Sequence, residues 1–147
     1  MALVILNVTN VTEGRSPLKQ ATILLADDHS MVLERVLPQL HNFEVVGTAN
    51  NGMELVSEAL RLRPDVIVTD ITMPKLNGIE AVRRLREAGS TSKFVFLTVH
   101  EQPEFLHACF AEGALGYVTK SHLGTDLVPA INEVLSGQQF ISPSLPR

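Results

Sequence analysis

The chain has a single cysteine and no long apolar run, and each of these absences excludes a class of protein. Cys109 stands alone among 147 residues, so no disulfide can form within the chain, and we expect a buried, reduced thiol. The apolar stretch Met1–Leu6 lacks the basic flank and the cleavage site of a signal peptide, and it is too short to span a bilayer. We therefore expect a cytoplasmic protein with no membrane partner.

Basic residues are also scarce. Lysine and arginine total 12 against 16 acidic residues, which gives a formal net charge of −4. The short clusters Arg61–Arg63 and Arg83–Arg86 form no basic stripe, and each is typical of the solvated face of a helix. Direct binding of nucleic acid by this segment is therefore not expected.

From Thr22 onward, short apolar runs alternate with segments of helical periodicity. The predicted strands are Thr22–Asp27, Glu44–Ala49, Asp65–Asp70, Lys93–Val99 and Gly116–Thr119, and the helices between them are Ser30–Leu40, a segment ending near Leu62, Ile79–Gly89 and Pro103–Glu112. A closing helix carries Leu127, Ile131, Val134 and Leu135. Ser30 is expected to cap the first helix, and Pro38 to kink or end it. This alternation predicts an α/β fold with a parallel sheet and helices on both faces.

Two segments lie outside the alternating pattern. Residues 1–20 are interpreted as a flexible leader, and residues 138–147, which contain Pro143 and Pro146, as an extended tail or the start of a linker. Residues 21–137 then form one domain of ordinary size.

Polar residues stand at the carboxyl ends of four predicted strands. Asp27 and Asp28 follow the first, Asp70 ends the third, Thr98 lies near the end of the fourth, and Lys120 follows the fifth. Parallel strands end at one edge of the sheet, so the three carboxylates should meet there and attract Mg²⁺. An aspartate beside Mg²⁺ can be a nucleophile towards a phosphoryl group, whose charge a lysine and a hydroxyl would neutralise.

Less specific roles remain open for single residues of this set. Either Asp27 or Asp28 could cap the helix that follows, although one cap does not explain two adjacent acids. Asp70 alone could be an ordinary turn residue before Pro74.

Five motifs in this order resemble the receiver domain of two-component response regulators. They are Ala26-Asp27-Asp28-His29, Val68-Thr69-Asp70-Ile71-Thr72-Met73-Pro74, Gly78, Leu97-Thr98 and Gly116-Tyr117-Val118-Thr119-Lys120. Together with Phe140-Ile141-Ser142-Pro143, they look most like the NarL/FixJ (LuxR-type) subfamily. The resemblance covers roughly residues 21–143. It implies a flavodoxin-like, CheY-like fold with a five-stranded parallel sheet in the order 2-1-3-4-5.

The resemblance also implies a chemistry for the acidic edge. Asp70 would accept a phosphoryl group from a sensor histidine kinase, and Lys120 would pair with that group. Asp28, the Asp70 carboxylate and the Thr72 carbonyl would ligate Mg²⁺, while Asp27 would act mainly through a coordinated water. The domain would catalyse its own phosphorylation and dephosphorylation and would not be an enzyme with a separate substrate.

The implied output is a change of surface. Thr98 would move towards the phosphoryl group and let Tyr117 rotate inward, which would alter the fourth helix, the fifth strand and the fifth helix. Phosphorylation would then favour partner binding, including a homodimer. We expect the chain to be the receiver part of a longer transcriptional regulator, whose helix-turn-helix domain would follow the tail and bind DNA.

Four alternatives stay open. A Mg²⁺-dependent phosphatase with an aspartate nucleophile would need an acid two residues after Asp70, where Thr72 stands. A dinucleotide-binding module would need a glycine-rich loop after the first strand, where Asp27-Asp28-His29 stands. A receiver that stands alone and acts through protein partners is the third alternative, and a degenerate receiver that ignores phosphorylation is the fourth.

Overall fold

The computed structural model describes residues 19–145, so most of the predicted leader and the last two residues of the predicted tail lie outside the described residues. The strands are β1 (Thr22–Ala26), β2 (Glu44–Ala49), β3 (Val66–Thr69), β4 (Lys93–Thr98), β5 (Gly116–Thr119) and β6 (Phe140–Ile141). The helices are α1 (Ser30–Val36), α2 (Gly52–Leu62), α3 (Gly78–Glu87), α4 (Pro103–Ala111) and α5 (Leu123–Leu135). Within the described range, none of these helices has the length and apolar character needed to cross a bilayer.

All the strands pair in parallel, in the order β2-β1-β3-β4-β5-β6. The predicted α/β fold and the order of its first five strands are confirmed. The chain direction across the sheet reverses between β1 and β3, and ligands of open α/β sheets bind at the carboxyl ends of the strands where such a reversal occurs. The topology therefore places the ends of β1 and β3 side by side.

The sixth strand is the one difference from the predicted sheet. Phe140 and Ile141 pair in parallel with Gly116 and Tyr117 of β5, within the segment that the sequence predicts as an extended tail. Two residues are too few to show the alternation by which a strand is recognised in a sequence. The edge of β5 is thus covered by the chain's own continuation.

The two faces of the sheet are covered by different helices. Val36 of α1 and Ile131 of α5 are buried in one cluster, while Leu55 of α2, Val82 of α3 and Leu106 of α4 are buried in the other. The strands between them are apolar on both sides, as expected for a parallel sheet covered on both faces. Burial of each such side chain contributes about 1.5–3 kcal/mol relative to its exposure, which holds the sheet edge in place.

The ends of α1 and α3 can be compared with their predicted caps. Gly89 after α3 has a φ of +87°, and Ser90 N donates to Leu85 O at 2.9 Å, so Gly89 ends that helix as predicted. The predicted cap at Ser30 is wrong, because His29 occupies the capping position and no side chain caps α1. Pro38 does end α1, which gives way at Leu37 to a 3₁₀ turn.

Candidate functional site

The acidic residues at the sheet edge are fixed by the ladder that precedes them. Asp27 N donates to Ala49 O at 3.0 Å, and Asp70 N donates to Ala26 O at 2.9 Å, so both residues extend the hydrogen-bond pattern by one step. Asp27 and Asp70 are 2% and 4% exposed, whereas the side chain of Asp28 is 30% exposed. The edge therefore holds two buried carboxylates and one that faces solvent.

Lys120 links the two buried carboxylates. Its Nζ lies 2.9 Å from Oδ2 of Asp70 and 2.9 Å from Oδ2 of Asp27. Burial raises the pKa of the Asp70 carboxyl, and the hydrogen bond from Lys120 opposes that rise. Burial alone would lower the pKa of Lys120, but its contacts with the two carboxylates raise it overall. Lys120 is therefore held as a cation between Asp27 and Asp70.

The arrangement of the acidic cluster also fits a divalent cation. Oδ2 of Asp27 is buried and, within residues 19–145, accepts no bond of hydrogen-bond geometry, its contact with Lys120 being an ion pair. One ligand atom each from Asp27, Asp28, His29 and Asp70 lies within 4.8 Å of the others. Carboxylate oxygens with an open, solvent-facing side are the environment that Mg²⁺ prefers, because this ion keeps several of its waters. The described residues thus fit the predicted magnesium site.

Helix capping does not account for the acidic pair. Oδ1 of Asp27 accepts a hydrogen bond of 2.8 Å from the backbone amide of His29, which is a local turn before α1. His29 Nδ1 also lies 3.1 Å from Oδ1 of Asp28. Since no side chain caps α1, neither acid has the alternative role that the sequence left open.

The loop after Asp70 is shaped by a close backbone approach at Gly78. Gly78 N donates to Ile71 O at 2.7 Å, and a Cβ on Gly78 would lie 2.0 Å from the carbonyl oxygen of Asp70. Only glycine allows that contact without a shift of the loop. Ile71 N in turn donates to Oδ1 of Asp70 at 2.7 Å, so the loop orients the carboxylate.

A second group of residues surrounds His100, just beyond β4. His100 N donates to Oγ1 of the buried Thr98 at 3.0 Å, and its carbonyl accepts a hydrogen bond of 2.8 Å from Tyr117 Oη. Its ring stacks on Phe105 with centroids 4.0 Å apart, and its Nε2 lies 2.9 Å from Thr72 Oγ1. His100 therefore connects the loop after Asp70 with β4, β5 and α4. By its place two residues after Thr98, the sequence predicts that His100 flanks the site together with Thr72, but it does not predict these contacts.

The structure brings Asp27, Asp28, Asp70 and Lys120 together as the sequence predicts. The hydroxyl of Thr98 is hydrogen-bonded to His100, and Tyr117 is already fully buried. The expected movements of Thr98 and Tyr117, and the role of the Thr72 carbonyl as a ligand, stay predictions.

The rim of the site is partly apolar. Met31 and Val99 are 74% and 67% exposed, and they line a shallow depression together with Asp28 and Lys120. The charged centre is thus bordered by two exposed apolar side chains.

Comparison with known proteins defines the class. The family model of the response regulator receiver domain matches residues 23–132, and this chain belongs to that family. It is 37% identical over 126 residues to the response regulator GacA of Pseudomonas viridiflava, which covers 84% of this chain and 59% of GacA. The resemblance to the receiver family that the motifs indicate is confirmed.

Solved structures agree with that assignment. A two-component response regulator of the LuxR family from Aurantimonas sp. SI85-9A1 superposes with a TM-score of 0.80 at 35% identity, covering 86% of this chain and 93% of that one. The RcsB response regulator of Salmonella typhimurium, studied for its conformational dynamism in DNA interaction, gives a TM-score of 0.77 at 27% identity, with 85% and 66% covered. The chain spans about three fifths of the length of the curated relatives it matches.

Proposed function

We propose that this receiver domain is a phosphorylation-dependent signalling switch whose phosphoacceptor is Asp70. The observation that carries the proposal is the position of Asp70, a nearly buried carboxylate at a strand end, 2.9 Å from the ammonium group of Lys120 and within the acidic cluster of Asp27 and Asp28. A carboxylate oxygen of Asp70 attacks the phosphorus of the donor, and the bond from phosphorus to the donor's histidine nitrogen breaks. An acyl phosphate on Asp70 and a free histidine result.

Each neighbouring residue has a task in this transfer. Lys120 neutralises charge on the transferred group, which it reaches from its place between the two carboxylates. Ile71 N keeps the Asp70 carboxylate oriented towards the open side of the site. We assign the hydroxyl of Thr98 to the phosphoryl oxygens after transfer, which would require it to leave the amide of His100.

Mg²⁺ is the cofactor that suits this donor set. Asp28, the Asp70 carboxylate and the Thr72 carbonyl would hold the ion, and Asp27 would act through a coordinated water. When bound, the ion relieves repulsion among the carboxylates and accepts oxygens of the incoming phosphoryl group. The ligand atoms of Asp27, Asp28, His29 and Asp70, which lie within 4.8 Å of one another, support a cation at this edge.

The output follows from the contacts of His100. If Thr98 turns to the phosphoryl group, the amide of His100 loses its acceptor, and the loop that also binds Tyr117 Oη is released. Rotation of Tyr117 and displacement of α4 would then change the surface formed by α4, β5 and α5. This is a local charge event that biases a two-state element.

Labelling with a small phosphodonor tests the acceptor. Incubation with acetyl phosphate and Mg²⁺ should add one phosphoryl group, detected by mass spectrometry of the intact protein, and Asp70→Asn should abolish the gain. Asp65→Asn is the matched control, because Asp65 precedes the same strand at its opposite end, where it accepts hydrogen bonds from Thr22. Full labelling of Asp70→Asn would refute the assignment.

Removal of the metal tests the cofactor. Chelation of Mg²⁺ should stop labelling of the wild-type protein, and Asp28→Asn should require a higher Mg²⁺ concentration for the same rate. Labelling that persists at the same rate in excess chelator would remove the role given to the acidic pair.

The partners follow from the chemistry and from the relatives. This protein would act in the cytoplasm, where a sensor histidine kinase would supply the phosphoryl group, and the exposed Met31 and Val99 beside the site are available for contact with the kinase. We propose that the switch controls transcription through a helix-turn-helix domain that would follow residues 138–147, aided by a homodimer formed on phosphorylation. Phosphotransfer from purified kinases of the same organism identifies the donor. A mobility-shift assay with this chain alone should show no DNA binding. A shift would contradict the proposal that DNA is bound by the helix-turn-helix domain.

A further inference from the structure

A chain of buried polar groups lies beyond the candidate site, on the far side of β5. Asp126 of α5, Ser142 just after β6 and Thr119 at the end of β5 are 8%, 0% and 1% exposed. The hydroxyl of Ser142 donates to Oδ2 of Asp126 at 2.7 Å and accepts from the backbone amide of Thr119 at 3.1 Å. Three elements that are distant in sequence are thus joined through one hydroxyl group.

The direction of these hydrogen bonds is fixed. A carboxylate only accepts, so the single proton of the Ser142 hydroxyl is committed to Asp126 and its oxygen is free to accept from Thr119. Thr125 Oγ1 donates to the other carboxylate oxygen at 3.0 Å. A hydrogen bond to an ionised carboxylate is about twice as strong as one between neutral groups, so Asp126 strengthens the hold of Ser142 on β5.

The β6 strand aligns Ser142 for this contact. Phe140 N donates to Leu115 O and Ser142 N donates to Tyr117 O, both at 2.9 Å, which sets the register of the segment against β5. Leu145 is buried at 5% exposure in the same apolar cluster as Tyr117. The segment therefore packs against the sheet on both sides of Ser142.

The amide that Ser142 holds belongs to the residue directly before Lys120. Lys120 must place its Nζ at 2.9 Å from both Asp27 and Asp70, although its four-carbon stem is flexible. A fixed backbone at Thr119 removes one source of displacement, and misplacement of about 1 Å at a reacting group costs roughly a hundredfold in rate. Anchoring of the β5 end is thus a condition for the geometry of the site.

We propose that Asp126 and Ser142 are positioning residues for Lys120, so that residues 138–145 take part in the phosphoryl chemistry. The inference rests on the proposed function of Asp70 and Lys120 and deepens it. Neither residue touches the phosphoryl group. Each acts through the backbone of Thr119. The segment after α5 thus affects the site by holding the end of β5 in place.

The test measures phosphorylation rates with acetyl phosphate and saturating Mg²⁺. Ser142→Ala should slow labelling of Asp70 roughly tenfold or more, by analogy with other displaced reacting groups. Asp126→Asn, which keeps an oxygen acceptor but loses the charge, should slow it less. The matched control is Ser136→Ala, whose exposed hydroxyl donates to Asn132 O of α5 at 3.2 Å, and it should label at the wild-type rate. A wild-type rate in both Ser142→Ala and Asp126→Asn would overturn the inference.

A double-mutant cycle separates positioning from a general loss of structure. In a Lys120→Met background the target of positioning is gone, so Ser142→Ala should cause no further slowing of the residual labelling. The affinity for Mg²⁺, measured by calorimetry, should be the same in Ser142→Ala and wild type. Equal slowing of the rate in both backgrounds would overturn the inference.

Failure of the positioning role and failure of the phosphoacceptor role give different results. If Ser142→Ala does not fold, Asp126→Asn replaces it in the same cycle. Labelling that survives Asp70→Asn would refute the proposed function itself, whereas labelling confined to Asp70 with an additive cycle refutes only the role of Asp126 and Ser142.

Discussion

The hydroxyl of Tyr117 donates a hydrogen bond of 2.8 Å to the main-chain carbonyl of His100, and it does so from a fully buried ring. The same residue His100 donates its amide proton to Thr98. The backbone of His100 is thus hydrogen-bonded to both Thr98 and Tyr117, the two side chains to which the switch is assigned. A change in the hydrogen bonding of Thr98 therefore acts on His100, whose carbonyl group holds the hydroxyl of Tyr117.

Removal of the tyrosine hydroxyl should destabilise the protein. In Tyr117→Phe the carbonyl of His100 loses a buried partner, and we expect the free energy of unfolding to fall by about 1 kcal/mol. Urea unfolding followed by circular dichroism measures the change. An unchanged midpoint would show that this hydrogen bond contributes nothing to the folded state.

The close approach at Gly78 predicts a strong effect of one methyl group. Gly78→Ala would bring a Cβ to 2.0 Å from the Asp70 carbonyl oxygen, and displacement of the loop should cost about 1–3 kcal/mol and slow labelling of Asp70. Gly124→Ala is the matched control, because nothing lies within 4 Å of that position in α5. Because Gly124 lies in the first turn of α5, the substitution should leave the stability unchanged or raise it slightly. Thermal unfolding of both variants decides the matter, and equal midpoints would contradict the steric argument.

The hydrogen bonds at the start of α2 predict a difference between two adjacent asparagines. Oδ1 of Asn51 accepts from Glu54 N at 2.8 Å, and Glu54 Oε1 accepts from Asn50 N at 2.8 Å. Asn51→Ala should lower the free energy of unfolding by about 1 kcal/mol, since a helix amide loses its acceptor. Asn50→Ala keeps both of these hydrogen bonds and removes only the exposed one from Asn51 Nδ2 to Asn50 Oδ1, so it should change the free energy of unfolding little. Chemical denaturation of both variants measures the difference. An equal loss in free energy of unfolding for Asn51→Ala and Asn50→Ala would contradict the prediction.

Cys109 predicts a loss of stability in alkaline solution. Burial raises the pKa of its thiol from an ordinary value of 9.0 to about 12. Between these values the unfolded chain releases the proton and the folded chain keeps it, so unfolding becomes easier as the pH rises, on the order of 1 kcal/mol per pH unit. Below pH 9 the thiol makes no pH-dependent contribution.

Comparison with Cys109→Ala isolates this contribution, because other groups also titrate in alkaline solution. The free energy of unfolding should fall less steeply with pH in the variant than in the wild type above pH 9. Identical slopes would mean that the thiol ionises as readily in the folded protein as in the unfolded chain.

The sheet and the acidic edge could be predicted because both depend on patterns that are local in sequence. The runs that end at Ala26 and Thr69 are apolar and β-branched, and parallel pairing brings the residues after them to one edge. The joining of Asp27, Asp70 and Lys120 follows from topology alone, although the 2.9 Å distances do not.

The features that could not be predicted depend on contacts that leave little trace in the sequence. Ser30 is a good capping residue by type, yet α1 begins at Ser30 itself and His29 takes the capping position, where its amide donates to Oδ1 of Asp27. Ser142 looks like an ordinary tail residue, and its partners Asp126 and Thr119 stand 16 and 23 positions away. The contacts of His100 likewise join segments that only the fold brings near.

The short β6 strand also has a bearing on solubility. A four-residue strand at the border of a parallel sheet offers unpaired amides and carbonyls to any extended chain that meets it, which is a common start of aggregation. Phe140 and Ile141 occupy those groups on β5 and leave an outer border only two residues long. A version of the protein cut after Gly137 would uncover the longer border, whereas one cut after Leu145 would keep it sealed.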